Sequence, residues 1–149
     1  MIDITVKSFQ ELNTNELYDI LQLRTEVFVV EQNCIYQDID GKDQKALHII
    51  GLKDNKIIAY TRIFNKGDYF DYASIGRVLV AQNERQFKYG YVIMNASIIA
   101  IKDHYNSDKI KISAQTYLKR FYNNLEFFEH GEEYLEDGIP HILMLRKSF

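Results

Sequence analysis

The sequence predicts a single domain of mixed α and β structure. Three observations carry this. The chain has 149 residues, 46% of them hydrophobic and 26% charged. A period-2 strand runs into a capped amphipathic helix, and short apolar runs separated by turns flank a second helix. A chain of this length buries roughly 68–70% of its unfolded surface around one core. Its composition is that of a globular protein, not of a disordered one.

The elements follow in order. Ile2, Ile4 and Val6 alternate with polar residues, which predicts a first strand. Asn13 and Glu16 have capping-box spacing, and Leu17, Ile20, Leu21, Val27 and Phe28 follow at helical spacing, so a helix is expected over about 14–30. Residues 31–45 are polar and irregular. Apolar runs at 46–53, 57–64 and 71–80, parted by Asp54-Asn55 and Lys66-Gly67-Asp68, predict three consecutive antiparallel strands. A polar loop over 81–85 opens a helix near Lys88. Tyr89, Val92, Ile93, Ala96, Ile99 and Ala100 share one face of that helix, and Met94 and Ile98 widen it, so both sides are expected to be covered. A strand at 109–114 and a short helix near 116–124 come next. Two strands are expected over 126–148, turning at Asp137-Gly138, with Pro140 opening the last. No repeat or linker interrupts residues 1–149, which read as one domain.

Composition narrows the function. The formal net charge is −3, a poor basis for binding nucleic acid, where affinity comes from neutralising phosphates. Cys34 is the single cysteine, so no intramolecular disulfide forms, and it reads as a buried free thiol. The four histidines lack paired metal spacing, and Asp38-x-Asp40-Gly41 departs from a calcium loop, so no metal is expected. His48 and His141 lie in strands and read first as structural histidines. No signal peptide or membrane span is visible, and the expected home is the cytoplasm. Oligomeric state is not legible.

The junction from Val78-Leu79-Val80 to Arg85-Gln86-Phe87-Lys88-Tyr89-Gly90 carries the most chemistry. A strand runs into a loop that opens a helix, whose first N–H groups lack intrahelical partners and attract phosphate. Arg85 and Lys88 add positive charge there. An ordinary strand-to-helix connection would show similar residues. After the first helix, Glu31, Asp38, Asp40 and Asp43 form an acidic loop, which is either a solvated surface or a site that attracts a cationic amine.

The junction resembles motif A of the GNAT superfamily of N-acetyltransferases, Arg/Gln-x-x-Gly-x-Gly/Ala between a strand and a helix. Arg85 matches the first position and Gly90 the last, while Lys88 stands where the first Gly is usual. Phe121-Tyr122-Asn123-Asn124-Leu125-Glu126-Phe127 resembles the family's Phe-Tyr-x-x-Leu-Gly-Phe segment, with Glu126 in place of Gly. The stretch from Leu23 to Asp43, with His48 and the Glu136–Ile142 ending, resembles the ElaA-like branch; Ile35 stands where a proline is common.

The resemblance implies the GNAT acyl-CoA N-acyltransferase fold, a mixed central sheet splayed near its middle with helices on both faces. It implies acetyl transfer from acetyl-CoA, as co-substrate, to an amine by direct attack. Val78, Leu79, Val80, Arg85, Gln86, Phe87, Lys88, Tyr89, Gly90 and Tyr91 are then expected to hold the CoA. A backbone conformation with φ < 0 at Lys88 is expected to keep its amide pointing inward. Tyr122 is expected to protonate the leaving thiolate. The strand position of the glutamate base of some relatives falls near Ser74, which leaves Glu31 or His48, acting through water, as bases. Arg24, Glu31, Asp38 and Asp40 are the expected acceptor-binding residues. A silent acyl-CoA-binding module and a protein-interaction domain are the alternatives. The acceptor stays open among small amines, antibiotics, peptide N-termini and protein lysines.

Overall fold

The computed structural model describes residues 1–147. Strand β1 (Asp3–Ser8) leads into α1 (Thr14–Arg24), which continues as a π-helix over Thr25–Glu31. Then come β2 (Leu47–Lys53), β3 (Lys56–Phe64), β4 (Ala73–Val80), α2 (Tyr89–Tyr105), β5 (Ile110–Gln115), α3 (Lys119–Asn123), β6 (Phe128–Glu129), β7 (Tyr134–Glu136) and β8 (Ile139–Arg146). The sheet order is β1-β2-β3-β4-β5-β8-β6, with β7 also on β8. Every pairing is antiparallel except β4 with β5.

Local chemistry explains most boundaries. The Asn13 side chain accepts from the Glu16 N–H at 2.7 Å, and Glu16 reaches back to the Asn13 N–H at 2.9 Å, closing the capping box. The β2–β3 turn puts Asp54 and Asn55 at φ 52° and 62°. The β7–β8 turn puts Asp137 and Gly138 at 52° and 77°. Residues of these types tolerate the left-handed region that tight hairpins require. Short strand β6 was not expected; two residues carry no readable periodicity.

Each face of the sheet has its own apolar layer. Against α2 and α3 pack Ile49, Ile63, Ile75, Ile112, Ile142, Met144 and Phe127. Against α1 and the π-helix pack Ile50, Tyr60 and Leu79, with Ile20, Val27 and Phe28 facing them. The buried stripe of α2 is Tyr89, Ile93, Met94, Ser97, Ile98, Ala100 and Ile101, while Val92 and Ile99 are exposed. This corrects the expected face and the expectation that both sides are covered. Ser97 disguises the stripe. Its hydroxyl is satisfied by the Ile93 carbonyl at 2.7 Å and by Thr61 at 2.5 Å, so a polar residue sits in the core at little cost. No helix among the described residues is long and apolar enough to cross a membrane.

Candidate active site

Strands β4 and β5 pair only at Ala73–Ile110 and Ser74–Lys111, then part. A bulge in β4 accompanies the parting. Gly76 faces Arg62 and Leu79 faces Tyr60, so Arg77 and Val78 together oppose the single residue Thr61. Arg77 takes φ 50°, a left-handed conformation uncommon for a side-chain-bearing residue, and a bulge of this kind bends its strand. The Asp38 carboxylate holds the Arg77 guanidinium at 2.7 Å. Between the splayed strands lies a cleft of about 540 Å³.

The bulge also decides which β4 groups face the cleft. The Ala81 N–H donates to the Ile58 carbonyl at 2.8 Å. Because antiparallel pairs alternate, the neighbouring Val80–Ala59 pair turns its backbone groups away from β3, and Val78 shares that phase. The peptide edges of Val78 and Val80 therefore point into the notch.

One end of the cleft is the start of α2. Residues Gln82–Phe87 form a 3₁₀ segment, and Lys88 takes φ 61°, ψ 29° before the helix begins. The expected φ < 0 at Lys88 is therefore corrected: its backbone is left-handed, a conformation that glycine adopts without strain. Arg85, Lys88, Gly90 and Tyr91 line the cleft. The Arg85 Nε donates to the Val80 carbonyl at 3.0 Å, and its fork grips the Glu31 carboxylate at 2.5 and 2.9 Å. Gly90 has a packing reason: a Cβ there would lie 3.3 Å from the Phe121 ring. Gln86, Phe87 and Tyr89 fall outside the cleft lining. Phe87 leans on Tyr89 at 5.6 Å, and the Tyr89 hydroxyl accepts from the Met1 amino group at 3.2 Å.

Tyr122 lines the same cleft and is 6% exposed. Phe121 and Phe127 fix its ring edge-on at 5.0 and 6.2 Å. Its hydroxyl has no hydrogen-bond partner among the described residues. Burial pushes its pKa well above the ordinary tyrosine value, so the phenol keeps its proton at neutral pH.

The acidic loop is not an open cation site. Arg24, wholly buried, donates from Nε to Asp38 at 2.8 Å and from Nη1 to Asp43 at 2.7 Å. Arg62, 1% exposed, bonds Asp40 at 2.6 Å and Asp43 at 2.9 Å. With Arg77 this makes three guanidinium groups against three carboxylates. Burial alone would raise Asp40 and Asp43, but Arg62 and Arg24 hold both carboxyls below the ordinary range. Arg24, Asp38 and Asp40 are absent from the cleft lining, so their expected acceptor role is corrected to a structural one.

His48 is corrected likewise. It is buried away from the cleft, its Nδ1 lying 2.6 Å from the Tyr60 hydroxyl and its Nε2 3.0 Å from the Asp43 carbonyl. Burial lowers its pKa. Glu31 does line the cleft, but its carboxylate is held by Arg85.

Several cleft residues were not expected: Gln32, Ser113, Gln115, Glu136 and His141. Cys34 is buried as expected, and its Sγ lies 3.3 Å from the Asp137 carbonyl, tying the loop after the π-helix to the β7–β8 turn. The π-helix is itself a signal of function. Such wide turns are rare and recur at sites, and here one sets Val27, Phe28 and Glu31 on the cleft wall. Alternation of polar residues at 113 and 115 in β5 was the readable hint of the opposite wall.

A family model for the acetyltransferase (GNAT) domain matches residues 10–148. Protein ElaA of Escherichia coli strain K12 is 42% identical over 139 residues, 92% of this chain and 91% of that protein. A UPF0039 protein of Schizosaccharomyces pombe is 38% identical over 145 residues, 96% of this chain and 95% of its own length. The crystal structure of an acyl-CoA N-acyltransferase from Pseudomonas aeruginosa superposes with a TM-score of 0.91 at 38% identity, covering 98% of this chain and 99% of that one.

Proposed function

The chain belongs to the GNAT acetyltransferase family, and from that premise we propose that it moves an acetyl group from acetyl-CoA to an amine by direct attack. The observation that carries the reading is the notch itself: two strands that part beside a helix start, with a phenol hydroxyl free between them. In this reading the pyrophosphate lies against Arg85, Lys88 and the first N–H groups of α2, where each favourable charge contributes roughly 0.3–1 kcal/mol. Arg85 exchanges Glu31 for phosphate. The pantetheine arm runs along β4 as an added strand, bonded to the outward peptide edges of Val78 and Val80.

The chemistry then asks for three things. A backbone N–H near Val80 polarises the thioester carbonyl. The amine must be neutral when it attacks; a lysine-like amine has a pKa of about 10.4, so a base is needed at neutral pH. Tyr122 donates its proton toward the sulfur as negative charge develops there. A tyrosine, ordinarily near pKa 10 and pushed higher here by burial, does not transfer its proton downhill to a thiol of about 8.5, so the phenol acts chiefly as a hydrogen-bond donor in the transition state.

The test is binding followed by turnover. A ligand at 100 times its Kd stabilises the folded chain by about 2.7 kcal/mol, which thermal melting reads directly. Acetyl-CoA should raise Tm, Arg85→Ala should reduce that rise, and an amine panel should release CoA. An unchanged Tm at millimolar acetyl-CoA refutes the reading. Binding without release of CoA to any amine favours the silent acyl-CoA-binding module.

A further inference from the structure

Opposite the CoA-facing edge, the cleft is walled by β5, β7 and β8. Gln115 pairs with His141, which pairs with Tyr134, and Glu136 pairs with Ile139. Strand alternation puts Ser113, Gln115, Tyr134, Glu136 and His141 on one face. The other face carries Ile112, Ala114, Ile142 and Met144 into the core. The polar face is not simply a wetted surface. Gln32 covers it, accepting from the Gln115 amide at 3.4 Å, and so does the Cys34 loop, and His141 is 6% exposed.

Within this wall the hydrogen bonds leave one gap. The Ser113 hydroxyl donates to Glu136 Oε1 at 3.1 Å and is also bonded to the Tyr134 hydroxyl, which fixes the carboxylate. His141 Nδ1 lies 2.7 Å from the Ile139 carbonyl. A carbonyl only accepts, so Nδ1 carries the hydrogen, and in the neutral ring Nε2 holds a lone pair. That Nε2 faces Glu136 Oε2 at 3.5 Å, beyond hydrogen-bond length. With the ring neutral, two acceptors confront each other across this gap. No lysine or arginine pairs with Glu136 among the described residues, where His141 is the ionisable partner facing its carboxylate.

We propose that Glu136 and His141 form the acceptor site for an unhindered primary amine that arrives as its ammonium ion, with His141 as the general base. The proposal rests on the acetyltransferase reading above. The ammonium donates one N–H to Glu136 Oε2 and one to His141 Nε2, filling the gap. His141 takes the first proton and passes it to water. The freed nitrogen lone pair attacks the thioester carbonyl carbon; the C–N bond forms and the C–S bond breaks. The amide nitrogen loses its second proton, and the CoA thiolate gains one. In sum, an ammonium ion and acetyl-CoA give an amide, CoA and one proton. The ionisable groups facing His141 are Tyr134 and Glu136 of β7, and Tyr69 interacts electrostatically with both of these. Tyr134 stacks on the imidazole at 6.1 Å, which keeps Nε2 aimed across the gap.

The experiment measures CoA release by the full chain with 1,5-diaminopentane and with benzylamine from pH 5.5 to 9, beside the acetyl-CoA thermal shift. His141→Asn retains a donor for the Ile139 carbonyl and deletes Nε2. It should lower kcat/KM for the amine at least tenfold and change the shape of the pH profile, with the acetyl-CoA shift intact. Glu136→Gln, at a partly exposed position, should raise the amine KM at least fivefold with a smaller change in kcat, and it serves if the histidine variant does not fold. Rates for His141→Asn within twofold of the parent across the pH range overturn the proposal. So does a parent chain that binds acetyl-CoA yet acetylates neither amine. A parent chain without the acetyl-CoA shift instead defeats the acetyltransferase reading, and this proposal falls with it.

Discussion

Asp43→Asn tests whether the arginine–aspartate cluster is a dry structural core. In the folded chain the Asp43 carboxylate accepts from Arg24 Nη1 at 2.7 Å and from Arg62 Nη1 at 2.9 Å. Those guanidinium groups are 0% and 1% exposed. The amide keeps the shape but removes the charge, so the cluster changes from three cations against three anions to three against two. Removing one partner of a buried pair typically costs about 3–5 kcal/mol, because the remaining charge stays buried without compensation. At about 2–4 °C per kcal/mol for a chain of this size, Tm should fall by roughly 6–20 °C. Stabilities of this class are about 5–15 kcal/mol, so a large part of the folding free energy is at stake. Calorimetry against a Glu126→Gln control reads the difference; Glu126 pairs with Arg146 at 3.2 Å with its side chain 68% exposed, and such pairs contribute about 0–1 kcal/mol. If Asp43→Asn lowers Tm no more than the control, water reaches the cluster and the assignment of a structural core is wrong.

Three further outcomes are expected. Tyr122→Phe keeps the ring between Phe121 and Phe127 but removes the hydroxyl, so kcat should fall at least about tenfold with KM for acetyl-CoA nearly unchanged; a kcat within twofold, where chemistry limits the rate, makes Tyr122 a packing residue. Lys88→Gly relieves a left-handed lysine, a conformation costing roughly 1–2 kcal/mol, against about 0.5–1 kcal/mol of extra glycine entropy; the free chain should therefore melt slightly higher while the acetyl-CoA shift shrinks for want of the charge, and a lower Tm refutes the strain argument. Stability should depend on acid in two stages, read as urea midpoints. Burial depresses the His48 pKa, so its neutral form stabilises above the unfolded value of about 6.5 and that stability is lost as pH falls through the folded value. Asp40 and Asp43, lowered by their arginines against the opposing effect of burial, contribute above about pH 4 and lose that contribution below it; a flat midpoint from pH 7 to 3 contradicts both.

The amino-acid sequence determined what depends on neighbours along the chain. The capping box at Asn13, the hairpin turns at Asp54-Asn55 and Asp137-Gly138, and the strand-to-helix junction at Arg85–Gly90 each follow from residue types a few positions apart. The tertiary structure decided everything that depends on distant pairing. The aspartates of residues 38–43 look like a solvated or cation-seeking loop until Arg24, Arg62 and Arg77 are brought against them across 14 to 39 positions of chain. His48 and His141 both look like strand histidines, and their strands alone do not distinguish them. Register does: His48 points at Tyr60 and the Asp43 carbonyl beneath the charge cluster, whereas His141 faces Glu136 on the cleft wall. A strand's period of two shows that neighbouring residues take opposite faces, but not which face is covered or by what. Here that is decided by the bulge at Arg77, which parts β4 from β5, and by the π-helix that folds over the opening.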